Sequence, residues 1–262
     1  MSSMNKKAVN GARSLYYGFL SKMLVFTEDE GRFDGLIEAL DVMIANPMDA
    51  NSGEALKEIR AYLDGTHYDE IIEEYDEIFH NPQSPIVRTT ASYYDEGVES
   101  GKKRLEVKNF LAKTRIRRDE KHFKEPEDSI GFLVVFMHEL VELILSGEEG
   151  YETLQHCLFD EVLNGFVDPF LVKLYEHERS NIYKSLAVVM SAFVSFERLY
   201  FNVEKPKPKT VLHKQTEGCE FISDTEAKRR AKNRIERSAD ALVKSCVLED
   251  DAFEDEAGFS GI

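Results

Sequence analysis

The chain contains no tryptophan, only three cysteines, and fewer basic than acidic residues. Cys157, Cys219 and Cys246 lie far apart, and none stands in a Cys-x-x-Cys spacing. This odd, scattered set argues against a disulfide framework and against a structural zinc site. The 49 Asp and Glu residues outnumber the 33 Lys and Arg residues, which gives a formal net charge of −16. Broad nucleic-acid binding is therefore not expected, because phosphate contacts need a basic surface.

Long apolar runs are also missing. No run approaches the ~20 residues that a membrane-spanning helix needs. The N-terminal pair Lys6 and Lys7 is followed by Asn10, Gly11 and Arg13 rather than by an apolar segment. We therefore expect no secretory signal, no stable membrane insertion and a cytoplasmic location.

The spacing of apolar residues predicts an all-α protein. Leu15, Phe19 and Met23 recur at intervals of four residues, which places them on one face of a helix. No segment keeps the strict alternation of a half-buried strand. Helices are predicted over 11–26, 32–45, 53–63, 68–80, 102–116, 149–164, 168–178 and 181–202. Another is predicted to begin with Pro126 as its first residue, where Glu127 and Asp128 would favour the positive end of the helix dipole.

Residues 81–101 interrupt the helical pattern with proline, glycine, serine and threonine. A connection of this length is uncommon unless it has a function. It is also a candidate hinge for domain exchange, so both a monomer and a domain-swapped dimer remain open.

Charge and composition divide the chain into three parts. We assign residues 1–203 to one helical domain of the multi-helix bundle type, 204–224 to a linker rich in proline and lysine, and 225–262 to a charged tail with a candidate basic helix. Residues 1–203 carry 36 acids and 22 bases, a net charge of −14, whereas residues 204–262 carry 13 acids and 11 bases. The negative charge therefore belongs to the helical domain, where it would attract a basic partner such as an arginine-rich peptide.

Three short motifs resemble chemical sites without meeting their requirements. Residues 138–142 lack the second histidine of a helical zinc motif, and Glu77 with His80 forms one Glu-x-x-His, whereas a di-iron bundle needs two. Residues 97–103 are one residue short of a phosphate-binding loop. We therefore predict no catalytic residue, no metal site, no cofactor and no enzymatic activity.

Five short segments form a pattern whose order and spacing are more specific than any one segment alone. They are Ala12–Tyr16, Tyr75–Phe79, Ser92–Gly97, Glu125–Asp128 and Asn181–Leu186. Together they resemble the TorD/DmsD/NarJ family of redox-enzyme maturation chaperones over roughly residues 10–203. The chain departs from the family pattern where Ser129 replaces the usual histidine after the acidic turn. It also lacks the tryptophans that often surround the family's binding groove.

The resemblance implies an all-helical, non-enzymatic, cytoplasmic chaperone. Such a protein binds the twin-arginine signal peptide, or the apo-form, of a molybdenum-containing oxidoreductase, assists cofactor insertion and delays export. The client would belong to the dimethyl sulfoxide reductase superfamily, with formate dehydrogenase as one option. The implied client-binding residues are Tyr75, Phe79, Tyr93, Glu125, Pro126, Glu127, Asp128 and Ser129. In this interpretation the acids pair with arginines and the aromatic rings supply an apolar surface.

Other interpretations stay open at this point. Glu127 and Asp128 also suit a helix N-terminus, and Tyr75 with Phe79 suits a buried helix face. A metal-dependent helical-bundle enzyme and a nucleic-acid adaptor acting through the basic residues 227–237 are the alternative functions.

Overall fold

The computed structural model describes residues 3–26, 30–63, 68–121 and 123–207, and these residues form an all-α fold, as predicted. The helices are α1 (Ser3–Leu24), α2 (Leu36–Ala45), α3 (Ala50–Tyr62), α4 (Asp69–Phe79), α5 (Ala91–Glu96), α6 (Lys102–Ala112), α7 (Ile130–Leu145), α8 (Tyr151–Leu158), α9 (Asn164–Glu176) and α10 (Ile182–Phe201), with a 3₁₀ turn at Glu30–Phe33 and a π-helical turn at Phe159–Leu163. Within these ranges, the one β-type pairing is an isolated bridge between Thr90 and Ser129. The predicted tail and the linker beyond residue 207 lie outside the described residues.

The core lies between α1 and α7 on one side and α3, α9 and α10 on the other. α1 packs along α7, and α10 packs against both α3 and α9. Leu20 and Met23 of α1 and Leu133, Met137 and Leu140 of α7 are fully buried. Each such side chain contributes about 1.5–3 kcal/mol relative to an exposed one. None of the described helices has the length and apolarity needed to cross a bilayer.

The start of α7 differs from the prediction. The helix begins at Ile130 rather than at Pro126, because Ser129 acts as its N-cap and accepts a hydrogen bond from the Phe132 amide at 3.0 Å. Residues 126–129 form a turn, in which the Ser129 amide donates to the Pro126 carbonyl at 3.0 Å. Glu127 and Asp128 therefore precede the helix instead of occupying its first turn.

The predicted break between residues 164 and 168 is also absent. α8, the π-helical turn and α9 run without interruption from Tyr151 to Glu176, although Pro169 lies inside α9. Pro169 has no amide hydrogen and cannot complete the helical bond to residue 165. Buried Phe166, Val167 and Phe170 hold the helix on both sides of it, so packing overrides the local preference of proline.

The segment 81–101, predicted as an irregular connection, contains the short helix α5. Gly97 ends this helix in the left-handed conformation at φ 74°, which glycine adopts without the steric cost that a side chain would add. The order within the segment comes from contacts with residues 125–129.

Candidate functional site

Residues 125–129, which we call the acidic turn, fasten the segment 81–101 to the N-terminus of α7. The Ala91 amide donates to the Asp128 carbonyl at 2.9 Å, and the Ile130 amide donates to the Thr89 carbonyl at 2.8 Å. The turn and the segment therefore form one structural unit, although they are separated by α6 in sequence.

Asp128 is fully buried and bonded inside this unit. Its Oδ2 accepts from the Ser92 amide at 3.0 Å and from the Ser92 hydroxyl at 2.5 Å. The Ser92 hydroxyl in turn accepts from the Arg104 amide at 3.3 Å, which connects the carboxylate to the first turn of α6. Burial raises the pKa of Asp128, against the opposing effect of the Ser92 bonds. The side chain thus caps α5 from within the protein rather than facing solvent.

Glu127 already has two cationic partners. Arg104 Nε donates to it at 2.6 Å and Arg118 Nη1 donates at 3.0 Å. Burial alone would raise the pKa of Glu127, but the hydrogen bond and charge of Arg104, with Arg118, hold it below its usual value. A peptide arginine would have to displace one of these guanidinium groups to reach the carboxylate.

Glu125 links α4 to the segment after α1 and to the N-cap of α7. Its Oε1 accepts from the Phe26 amide at 3.2 Å and from the Tyr75 hydroxyl at 3.0 Å, while Oε2 accepts from the Ser129 hydroxyl at 2.6 Å. Gly131 leaves the room for this arrangement, because a Cβ there would lie 2.6 Å from Glu125 Oε2 and 2.7 Å from the Leu24 carbonyl oxygen. Burial raises the pKa of Glu125.

Replacing Glu125 with glutamine should change how stability depends on pH. The folded protein holds the Glu125 proton more tightly than the unfolded chain, so the free energy of unfolding should fall as pH rises from about 4.3, the ordinary glutamate pKa, to the raised folded value. Glutamine keeps an acceptor for Phe26 and Tyr75 but cannot ionise, so E125Q should remove part of this fall. Urea unfolding of both proteins between pH 4 and pH 8 measures this decrease in the free energy of unfolding.

Asp128 contributes a slope of the same sign, so a residual decrease should remain in E125Q. The exposed Glu149→Gln is the matched control and should follow the unsubstituted protein. If the free energy of unfolding changed with pH in the same way in E125Q and in the unsubstituted protein, the pH dependence could not be assigned to Glu125.

The three aromatic residues predicted to line the site are placed differently from one another. Tyr75 and Phe79 are only 2% and 6% exposed, and Phe79 packs between Tyr183 at 5.7 Å and Phe170 at 6.4 Å between ring centroids. Tyr93 is half-buried, and Lys173 Nζ lies 5.2 Å from its ring centroid. The structure therefore brings Tyr75 to the acidic turn through Glu125, but it places Tyr75 and Phe79 in the core. The client-binding role of these residues and of residues 125–129 stays a prediction.

An apolar groove that sequence reasoning missed runs between α9 and α10, beside the start of α3. It encloses about 490 Å³. Val172 and Tyr175 line it and are 54% and 46% exposed, on the opposite side of α9 from buried Leu174. The only sequence signal was this apolar pair at i and i+3, outside the core-facing stripe of α9. We call it the α9–α10 groove.

The rim of the α9–α10 groove is acidic. Asp49, Asp168 and Glu176 line it together with one base, Lys205. Asp49 accepts a hydrogen bond from the Ser52 amide at 2.7 Å as the cap of α3. The hydrogen bonds from Ser52 lower the pKa of Asp49. Asp168 is bonded to Arg198 at 2.7 Å, with Lys205 3.4 Å away. A cationic, partly apolar segment matches this combination of surfaces.

The carboxylates of α4 form structural contacts rather than a metal site. Glu74 accepts from the amides of Asn181, Ile182 and Tyr183 at 2.7–3.0 Å and so caps α10. His80 Nδ1 lies 2.9 Å from Asp76, not from Glu77. Among the described residues, no group of three or more His, Cys, Asp or Glu side chains is arranged to hold a metal ion.

The fold and these surfaces define an all-α protein with an apolar, acid-rimmed surface groove between α9 and α10. Residues 45–172 match the sequence family described as nitrate reductase delta subunit. Over these residues the chain is similar to this family, the NarJ/TorD-like chaperones of molybdoenzyme maturation.

Two further comparisons add little. No curated protein matches the chain. A crystal structure described as a candidate redox enzyme maturation protein from Archaeoglobus fulgidus is similar at 19% identity, covering 71% of this chain and 93% of that one with a TM-score of 0.45. This similarity is too low to define either a fold or a function.

Proposed function

We propose that the protein is a cytoplasmic, non-catalytic chaperone that binds the twin-arginine leader, or the apo-form, of a molybdenum-containing oxidoreductase precursor. It would hold the precursor during cofactor insertion and delay export. The observation that carries this proposal is the family match over residues 45–172. Formate dehydrogenase or another member of the dimethyl sulfoxide reductase superfamily is the proposed client.

The α9–α10 groove supports the leader-binding part of the proposal. A twin-arginine leader has a basic start and an apolar middle, so its receptor needs an apolar surface beside carboxylates. The groove supplies exposed Val172 and Tyr175 beside Glu176 and Asp49. We propose that the leader makes its first contact here.

The acidic turn has a different proposed part. Glu127 and Asp128 meet leader arginines only if their bonds to Arg104, Arg118 and Ser92 are released. We therefore propose that residues 125–129, with Tyr75, Phe79 and Tyr93, pair with the leader only in a minor, rearranged state that contributes little to the affinity for the leader. In the arrangement described above, the turn supports the segment 81–101.

The test uses a fluorescein-labelled twin-arginine leader peptide from a formate dehydrogenase precursor and its twin-lysine counterpart. Fluorescence anisotropy with the full chain should show saturable binding that weakens at high salt. Glu176→Lys reverses a rim charge and should weaken binding about tenfold, or ~1.4 kcal/mol. The exposed Glu149→Lys, outside the groove, should leave affinity unchanged. Absence of leader binding to the unsubstituted protein would overturn the leader-binding part of the proposal, and equal effects of both variants would show that the α9–α10 groove is not the site.

A further inference from the structure

A second apolar groove lies on the side of α7 next to α1. It encloses about 690 Å³ between the C-terminal half of α1, the outer face of α7, residues 115–119 and Phe123. Phe132 and Phe136 of α7 form its floor, and Phe123 packs edge-on to Phe132 with ring centroids 5.3 Å apart. Val135, which also lines the groove, is partly exposed. Phe132 and Phe136 are only 6% and 1% exposed, so the partly exposed Val135 and Phe123 supply apolar surface that is accessible from outside.

The charge of this groove is opposite to that of the protein as a whole. Lys22, Arg115, Arg117 and Arg118 line it, against two acids, Asp119 and Glu139. We call it the basic-rimmed groove. Residues 102–124 hold ten Lys and Arg but only three Asp and Glu, within a helical domain whose net charge is −14. The bases of this domain are thus concentrated in residues 102–124, and Arg115, Arg117 and Arg118 of this stretch lie on one wall of the groove.

The rim cations are held in place in different ways. Arg118 donates to Glu127 and to the Phe123 carbonyl, so it is fixed against the acidic turn. Arg115 pairs with Glu148. Arg117 Nη1 donates to the carbonyls of Thr114 and Ile116, which orients the guanidinium without neutralising it. The positive charge of Arg117 therefore remains available for pairing with an acidic group in the groove.

We propose that the basic-rimmed groove binds an acidic amphipathic segment of the client's mature polypeptide, distinct from its leader. Apolar side chains of that segment would cover the partly exposed Val135 and Phe123, while a carboxylate of the segment would pair with Arg117. A twin-arginine leader is repelled here, because its own charge has the same sign as the rim. The two grooves then hold segments of opposite charge, which gives simultaneous contacts to one client and a gain in avidity.

The client identity rests on the proposed function, but the preference of the groove is measurable without it. The probe is a fluorescein-labelled helical peptide with leucine and phenylalanine at i, i+3, i+4 and i+7 and glutamate at the exposed positions. Its matched partner carries lysine in place of every glutamate. Fluorescence anisotropy with the full chain should show at least tenfold tighter binding of the glutamate peptide, and 0.5 M NaCl should reduce the difference.

Two variants locate the binding. Arg117→Glu reverses a rim charge whose hydrogen bonds are to backbone carbonyls, and it should weaken the glutamate peptide about tenfold. Lys108→Glu makes the same charge change at an exposed position of α6 outside the groove and should have less than a twofold effect. Far-UV circular dichroism confirms that both variants are folded.

Failure of this inference is distinguishable from failure of the proposed function. Equal affinity for the two peptides, no binding of either, or equal effects of R117E and K108E would overturn the inference. None of these outcomes depends on whether the twin-arginine leader binds, which is measured separately with E176K. Competition between leader and glutamate peptide for one site would also overturn the assignment of two grooves.

Discussion

Replacing Arg13 with alanine should destabilise the protein by about 3–5 kcal/mol, because it would leave Glu197 charged and unpaired in the core. Both side chains of this pair are 0% exposed. Arg13 Nε and Nη2 donate to the two oxygens of Glu197 at 2.6 and 2.8 Å, and the Tyr17 hydroxyl donates to the same carboxylate at 2.7 Å. The guanidinium also donates to Gln155 at 3.0 Å. Arg13 therefore links α1 to α10 through Glu197 and to α8 through Gln155.

Urea unfolding of Arg13→Ala, Glu197→Ala and the double variant Arg13→Met with Glu197→Leu measures this effect. Each single variant should lose several kcal/mol, whereas the double variant should recover much of the loss, since no buried charge remains without a partner. The control is Lys6→Ala, which breaks an exposed pair with Glu152 and should cost no more than about 1 kcal/mol. A loss below 1 kcal/mol for R13A would show that the buried pair does not hold α1 in place.

The sequence was sufficient for the helical class because helix periodicity is a local property. Apolar residues at intervals of three and four, such as Leu15, Phe19 and Met23, predicted α1 whatever lay on the other side of the core. The partner of Arg13 is 184 residues away. No local pattern specifies a pairing at that distance, so the buried ion pair could not be predicted.

The acidic turn shows where a local signal was misread. Pro126 followed by two acids is typical of a helix start. In the fold, Asp128 and Ser129 are instead pinned by contacts with residues 89–92, and the serine hydroxyl caps α7. Those partners belong to another segment of the chain, and single-sequence patterns carry no information about which segments meet.

The grooves were missed for a related reason. Val172 and Tyr175 of the α9–α10 groove, like Val135 of the basic-rimmed groove, appear in the sequence as ordinary apolar residues of helices. Only packing decides which apolar residues remain exposed after the core is filled. The basic stretch 102–124, by contrast, was visible in the sequence, and its contrast with the acidic domain was an available signal for a second surface.

Replacing Asp128 with alanine should cost about 2–4 kcal/mol, since it would leave the buried Ser92 amide without an acceptor and remove the cap of α5. Asp128→Asn keeps one side-chain oxygen for the Ser92 amide and hydroxyl, so it should cost clearly less. A double-mutant cycle with Ser92→Ala isolates the contribution of the hydroxyl bond at 2.5 Å. Urea unfolding of the four proteins gives both the totals and the coupling.

The same variants separate a structural role of Asp128 from a direct contact with the leader. Because the carboxylate faces Ser92 and is fully buried, D128N should keep the affinity for a twin-arginine leader within about twofold of the unsubstituted protein. D128A should lose affinity only in proportion to the unfolded fraction measured at the same temperature. A D128N protein that is fully folded yet loses leader binding more than tenfold would instead show that the charge itself meets an arginine. That result would require the acidic turn to open when the leader binds.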